Sequence, residues 1–255
     1  MIKILGTERY TKEQMEKDEV ELIIRRGSGV DNVDLQECKN RDIPVVNMPD
    51  IPANAVAEFT IAQILHALRY RKEYSRELAS CTVGIFGYGN IGSLVKKKLA
   101  SLCPKEVLVN DIDLKKPTNA TKEMILTTCD IITLHIPLKE PTANPAYDNT
   151  NFISNIELEL MKRNAIIVNM SRAGIINENA LLDWATSNPY ATAVLDVIEN
   201  QDRHEKISKL EAVSNILITP HQAGTTVEVK ESMRQRELGI INTFNNKKEL
   251  YNRVI

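Results

Sequence analysis

Thr82-Val-Gly-Ile-Phe-Gly-Tyr-Gly-Asn-Ile-Gly92 is the stretch from which the fold of this chain can be read. A short β-branched and aromatic run passes directly into Gly87-x-Gly89-x-x-Gly92, and apolar residues at helical spacing follow (Leu94, Val95, Leu99). Each glycine has its own mechanical reason. Gly87 permits the tight turn from strand to helix, Gly89 lets a pyrophosphate approach the backbone, and Gly92 lets the helix lie close on the strand. Amides at the start of that helix then face the phosphates. A second strand, Val107-Leu-Val-Asn110, ends at Asp111, 19 residues after Gly92. An acid there suits the hydroxyls of an adenosine ribose and repels the extra phosphate of NADP. The pattern reads as an NAD site.

Composition sets the outer bounds. A chain of 255 residues buries a sizeable core and fits one large or two modest domains. Hydrophobic residues make up 43% and charged residues 26%, ordinary for a globular protein. A net charge of −2 gives no reason to expect nucleic acid or an anionic membrane as partner. No apolar run approaches the ~18 residues of a membrane span. The four cysteines form no C-x-x-C pair, and Met1-Ile-Lys-Ile-Leu5 has no secretory character, so the expectation is a cytoplasmic protein with reduced thiols. No cluster has zinc or calcium spacing, and no metal is expected.

Strand-like and helix-like segments alternate along the chain, the pattern of an α/β protein with a parallel sheet. Strands are expected at 21–24, 44–47, 82–86, 106–110, 130–135, 165–170, 191–195 and 216–218, and helices near 34–41, 91–101, 121–128, 155–162, 178–186 and 228–245. A long helix is expected from Asn54, as its N-cap, to about Leu78. Strands between 82 and 219 are too apolar to be half exposed and suit a sheet covered on both faces. Pro141 to Thr150 is the clearest loop.

Three polar residues fall just beyond strand ends, where ligands bind in such sheets. Arg172 follows Ile167-Val-Asn-Met-Ser, Asp196 closes Ala193-Val-Leu, and His221 follows Leu217-Ile-Thr-Pro. Together they suit hydride transfer at a 2-oxo or 2-hydroxy acid. An arginine holds a carboxylate bidentately, and an imidazole with an ordinary pKa near ~6.5 exchanges a hydroxyl proton near neutrality.

The ordered motifs resemble the D-isomer-specific 2-hydroxyacid dehydrogenases. They are Arg26-Gly-Ser-Gly-Val-Asp-Asn-Val-Asp34, Asn54-Ala-Val-Ala-Glu58, Gly84-Ile-Phe-Gly-Tyr-Gly-Asn-Ile-Gly92, Leu134-His-Ile-Pro-Leu138, Val168-Asn-Met-Ser-Arg172, Leu195-Asp-Val197 and Thr219-Pro-His221. The resemblance implies a doubly wound NAD-binding domain over 73–227. It also implies a smaller, truncated flavodoxin-like substrate domain from 1–72 and 228–255. Arg172 would bind the substrate carboxylate, His221 would be the acid/base, and Asp196 would meet the nicotinamide carboxamide. Asp111 would take the ribose, Asn90 and Ile91 would lie over the pyrophosphate, and His135, Pro137 and Gly224 would line the cofactor. Backbone amides near Ser28, Gly29 and Val30 would help seat a small 2-oxo or 2-hydroxy acid.

Departures from the family pattern bear on the chemistry. Family members usually place a glutamate against the catalytic histidine, and Gln201 stands at that position. A neutral amide orients an imidazole but supplies no charge to favour imidazolium. Glu199 or Glu205 could substitute. A Gln–His pair resembles the formate dehydrogenase branch, whose asparagine is replaced here by Pro52. Met1–Leu5 aligns with an interior strand of the usual substrate domain. Arg69–Cys81 is shorter than the arm that wraps a partner subunit, so a homodimer would have a reduced interface. The family's arginine for a substrate phosphate, expected near Leu5, is absent, with Arg9 or Arg25 as possible substitutes. The main reading is an NAD-dependent dehydrogenase. The alternative is an NAD-binding sensor or partner-binding module with weakened catalysis.

Overall fold

A computed structural model of the chain describes residues 1–70, 72–139, 148–199 and 204–255, the side chains of 72 and 204–206 excepted. Gln201 and residues 141–147 of the Pro141–Thr150 loop lie outside the described residues. The chain forms two compact units, Met1–Ala55 with Gly224–Ile255, and Val56–Ala223.

The smaller unit carries three parallel strands, β1 (Ile2–Leu5), β2 (Leu22–Arg25) and β3 (Val45–Asn47), in sequential order. Side chains alternate between its two faces, as the pleat requires. Leu5, Ile23 and Val45 join Met15 and Cys38 on one face. Leu22, Ile24 and Val46 join Ile240 of the helix Val227–Asn245 on the other, with Met233 and Phe244 beside it. The helix Lys12–Lys17, which supplies Met15, was not anticipated from periodicity. Its signal was local: Thr11 and Gln14 form a capping box.

In the larger unit six strands run parallel: β4 (Thr82–Phe86), β5 (Glu106–Asn110), β6 (Ile131–Leu134), β7 (Ile166–Asn169), β8 (Thr192–Leu195) and β9 (Ile216–Ile218). Their order is β5-β4-β6-β7-β8-β9. Val83, Ile85, Val109, Ile131 and Val168 enter one core. Phe86, Leu108, Ile132, Leu134, Ile167 and Leu195 enter the other. Both faces are therefore covered, which is why these strands read as unbroken apolar runs. Among the described residues no helix is long and apolar enough to cross a membrane.

The long helix runs Ala53–Tyr70, shorter than expected, and two 3₁₀ turns follow at Lys72–Tyr74 and Leu78–Ser80. Asn54 lies in its first turn and is not its N-cap. The end has a physical cause: the Arg76 amide donates back to the Leu68 carbonyl (3.0 Å), which satisfies a last-turn acceptor and folds the chain over. Val56, Ala57, Ile64, Ala67 and Leu68 pack this helix into the core of the larger unit. The compact units accordingly divide at 55/56 and again at 223/224. Arg76 also pairs with Asp130 (3.0 Å), which accepts from Lys162 Nζ (2.9 Å) and the Thr82 amide (2.8 Å). Burial alone would raise the Asp130 pKa; its three donors hold it below the usual carboxylate range. A further helix, His204–Glu211, went unread because its amphipathic signal is only Ile207 and Leu210, both packed on the core.

Candidate functional site

From β4 the chain passes to β5 on one side and then to β6 on the other, so the connection reverses at the carboxyl ends of β4 and β6. Such a switch point opens the crevice in which α/β sheets bind ligands. Gly87 leaves β4 with φ +91°, and a Cβ there would sit 2.5 Å from the His135 carbonyl oxygen. A Cβ on Gly92, in the first turn of the helix Asn90–Ser101, would lie 1.9 Å from the Gly87 carbonyl oxygen. Gly89 differs from both: a Cβ there would meet nothing within 4 Å. Its lack of a side chain answers no need of the chain's own packing and leaves a cradle open over the backbone. Gly89 is also the helix N-cap and has no side chain with which to cap the first-turn amides, in which Asn90 and Ile91 stand. These residues fit a dinucleotide pyrophosphate.

Asp111 stands at the end of β5, its side chain 8% exposed. Its Oδ2 accepts from the Tyr88 amide (2.6 Å) and Lys116 Nζ (3.2 Å), and Oδ1 accepts from the Asp113 amide (2.8 Å). Burial would raise its pKa, but these donors hold the carboxyl below the usual range, so it is an anion tied to the glycine loop. Among the described residues Oδ1 takes no second donor, which leaves it a lone pair. Lys116 offsets part of the negative charge expected to repel a phosphate.

Arg172, Asp196 and His221 follow three neighbouring strands, and hydrogen bonds link the turns that carry them. Asn169, at the end of β7 and 2% exposed, is the hub. Its Nδ2 donates to the Arg172 carbonyl (2.9 Å), and its Oδ1 accepts from the Ser171 amide (3.0 Å) and hydroxyl (2.7 Å). The Asn169 carbonyl accepts from the Asp196 amide (3.0 Å). Asp196 is 1% exposed; its Oδ1 accepts from the Thr219 hydroxyl (2.6 Å) and Gln222 amide (2.9 Å), and its Oδ2 from the Ala223 amide (3.0 Å). His221 lies inside the loop so held, exposed, with φ +50°. A non-glycine residue with positive φ is strained and persists where its surroundings over-determine it. Neither the role of Asn169 nor the grip of Asp196 on the loop was visible in sequence.

The other candidates are placed as follows. His135 is 9% exposed, its Nε2 sits 2.9 Å from the Thr133 hydroxyl, and its Nδ1 has no partner among the described residues. Pro137 lends its carbonyl to Asn149 Nδ2 (2.7 Å). Glu199 donates its amide to Glu178, and its Oε1 would lie 3.3 Å from a Cβ built on Gly174. Ser28, Gly29 and Val30 follow β2, and Gly224 begins the returning segment of the smaller unit. Among the described residues no group of His, Cys, Asp and Glu is arranged to hold a metal ion.

Burial pushes the His135 imidazole down to about 3, so the unfolded chain takes up a proton that the folded chain refuses. Between an unfolded pKa near ~6.5 and that value the unfolded state binds more protons, and stability falls as pH falls. Relative to wild type, a His135→Gln variant is expected to lose this dependence, on the order of 1 kcal/mol per pH unit below about pH 6. Denaturant titrations at about pH 6, 5 and 4 check it; parallel trends in the two proteins would remove His135 as the cause.

Known proteins resemble this chain over most of its length. Residues 56–223 match the family model described as "D-isomer specific 2-hydroxyacid dehydrogenase, NAD binding domain". A D-3-phosphoglycerate dehydrogenase of Methanocaldococcus jannaschii is 33% identical over 88% of this chain and 45% of its own length. A hydroxypyruvate reductase of Thermotoga maritima is 31% identical over 87% of this chain and 74% of its own. Among solved structures, a D-lactate dehydrogenase from Aquifex aeolicus, complexed with NAD and lactic acid, superposes with a TM-score of 0.85. It is 26% identical, with 96% of this chain and 83% of that one covered. The chain thus spans less than half the length of one such relative and about three quarters of another.

Proposed function

The chain belongs to the D-isomer specific 2-hydroxyacid dehydrogenase family, and from that premise we propose that it interconverts a small 2-oxo acid and its D-2-hydroxy acid with NAD(H). The observation that carries the proposal is the Asn169–Asp196 frame, which ties the turns of Arg172 and His221 to adjacent strand ends. Bound NAD(H) supplies the hydride acceptor or donor for C2. Arg172 holds the carboxylate through its planar fork of donors and polarises the neighbouring carbonyl. His221 gives a proton to the carbonyl oxygen in reduction and removes it from the hydroxyl in oxidation. Asp196 keeps the His221 loop in place, and its Oδ2, which takes a single bond among the described residues, has capacity left for a carboxamide N–H. In the smaller unit the amides of Ser28, Gly29 and Val30 donate to no acceptor among the described residues, which suits them to a carboxylate.

A panel of short 2-oxo acids, with formate and NAD as a separate arm, tests the proposal by the NADH absorbance band. Oxidation of NADH by at least one 2-oxo acid is the expected result. Tight NADH binding with no turnover of any panel member would turn the reading to a cofactor-binding module, for which the neutral Gln201 is the motive.

A further inference from the structure

The helix Val227–Asn245 buries a carboxylate, Glu237, that is only 5% exposed. A buried charge in mid-helix destabilises the fold unless it is paired with good geometry. Its partner is Arg26, 211 residues away in sequence, which engages both oxygens: Nε donates to Oε1 and Nη2 to Oε2, the latter at 3.0 Å. The guanidinium end of this pair is half exposed, so the pair adds little to a sealed core. What it does hold is a segment of backbone.

Arg26 is the residue before the turn Gly27-Ser28-Gly29-Val30. Gly27 has φ +104°, a left-handed conformation that bends the chain sharply there. The turn is pinned through its carbonyls as well, because the Met48 amide donates to the Gly27 carbonyl (2.9 Å) and Asn47 Nδ2 to the Ser28 carbonyl (2.8 Å). With the carbonyls taken up from β3 and the side chain of Arg26 taken up from the helix, the amides of Ser28, Gly29 and Val30 have no acceptor among the described residues. Successive unengaged amides form a concavity for an anion.

We propose that Arg26 and Glu237 are positioning residues: together they clamp the Gly27–Val30 turn so that its three amides form a receptor for the substrate carboxylate. The inference rests on the dehydrogenase reading for the identity of that carboxylate. Arg26 itself need not touch the substrate; its bidentate fork sets the turn, which a point-charge lysine does only in part.

The test uses the full chain with NADH bound and oxamate, an unreactive mimic of a 2-oxo acid, as the probe. Amide NMR of Ser28, Gly29 and Val30 follows the titration. In wild type these amides are expected to shift on oxamate addition. Arg26→Ala weakens oxamate binding about tenfold, and Glu237→Gln does so to a similar extent, with NADH affinity unchanged in both. Arg26→Lys falls between wild type and alanine. Steady-state kinetics with an active 2-oxo acid then show the loss in KM, with kcat within about threefold of wild type. Unchanged oxamate affinity in folded Arg26→Ala and Glu237→Gln variants overturns the clamp, as does an absence of shifts at these amides in wild type. Failure of the dehydrogenase reading looks different: no 2-oxo acid is reduced, while the oxamate shifts and their dependence on Arg26 persist.

Discussion

Replacing Arg172 with alanine is expected to lower kcat/KM for a 2-oxo acid by on the order of 10³, the scale of removing a preorganised charge at a reacting carbonyl. The NADH dissociation constant should stay within about twofold, because the glycine loop and Asp111, on β4 and β5, are untouched. Arg172→Lys should recover only part of the loss, since a lysine restores the charge without the planar fork. The companion variant is His221→Asn, chosen for a structural reason. His221 has φ +50°, and asparagine tolerates the left-handed region better than alanine, so the loop held by Asp196 survives the change. Loss of the proton donor should lower turnover by about 10²–10⁴. Stopped-flow single turnovers separate this chemical loss from binding. If His221→Asn kept more than about a tenth of wild-type turnover, the acid/base assignment would be wrong.

The second large effect concerns two glycines three residues apart. In Gly92→Ala the new Cβ would fall 1.9 Å from the Gly87 carbonyl oxygen, a backbone atom with no room to yield. The helix must lift from β4, at a cost of about 3 kcal/mol or more, and the larger unit should melt roughly 5–10 °C lower. NADH binding is lost with it, because the first-turn amides move with the helix. Gly89→Ala should behave otherwise. Its Cβ meets nothing within 4 Å, and its backbone (φ −85°, ψ −156°) is open to alanine. Its melting temperature should stay near wild type, while the NADH dissociation constant rises at least about tenfold, because the methyl group stands where a pyrophosphate would approach. Differential scanning calorimetry with and without NADH reads both quantities in one experiment. A Gly89→Ala protein that bound NADH normally would remove Gly89 from the cofactor site.

The contrast also shows what kind of information a sequence carries. The glycine spacing announces a turn and a close approach, but Gly89 and Gly92 are the same letter. That one excludes its own backbone and the other leaves open space is a matter of three-dimensional neighbours. Strand positions were legible because burial on both faces turns each strand into an apolar run, whatever its partners. The short helices Lys12–Lys17 and His204–Glu211 were not, since six and eight residues carry too few apolar positions to establish a period. The end of the long helix escaped for another reason: Arg69 to Ser75 contains no helix breaker, and the stop is a hydrogen bond from Arg76 to Leu68.

By itself the stretch from Thr82 to Asp111 determined a parallel α/β unit with an NAD site, because turn chemistry and a strand-end acid act within these thirty residues. The order of Arg172, Asp196 and His221 likewise determined that polar groups follow successive strands. Only the tertiary structure decided what each of them does locally. It made Asp196 the anchor of the His221 loop, Asn169 the support of the Arg172 turn, and Glu237 the partner of Arg26. Periodicity is set by the geometry of a single element, so it survives in one dimension. A hydrogen-bond partner is set by which elements the fold brings together, and for Arg26 and Glu237 that partner lies 211 residues away.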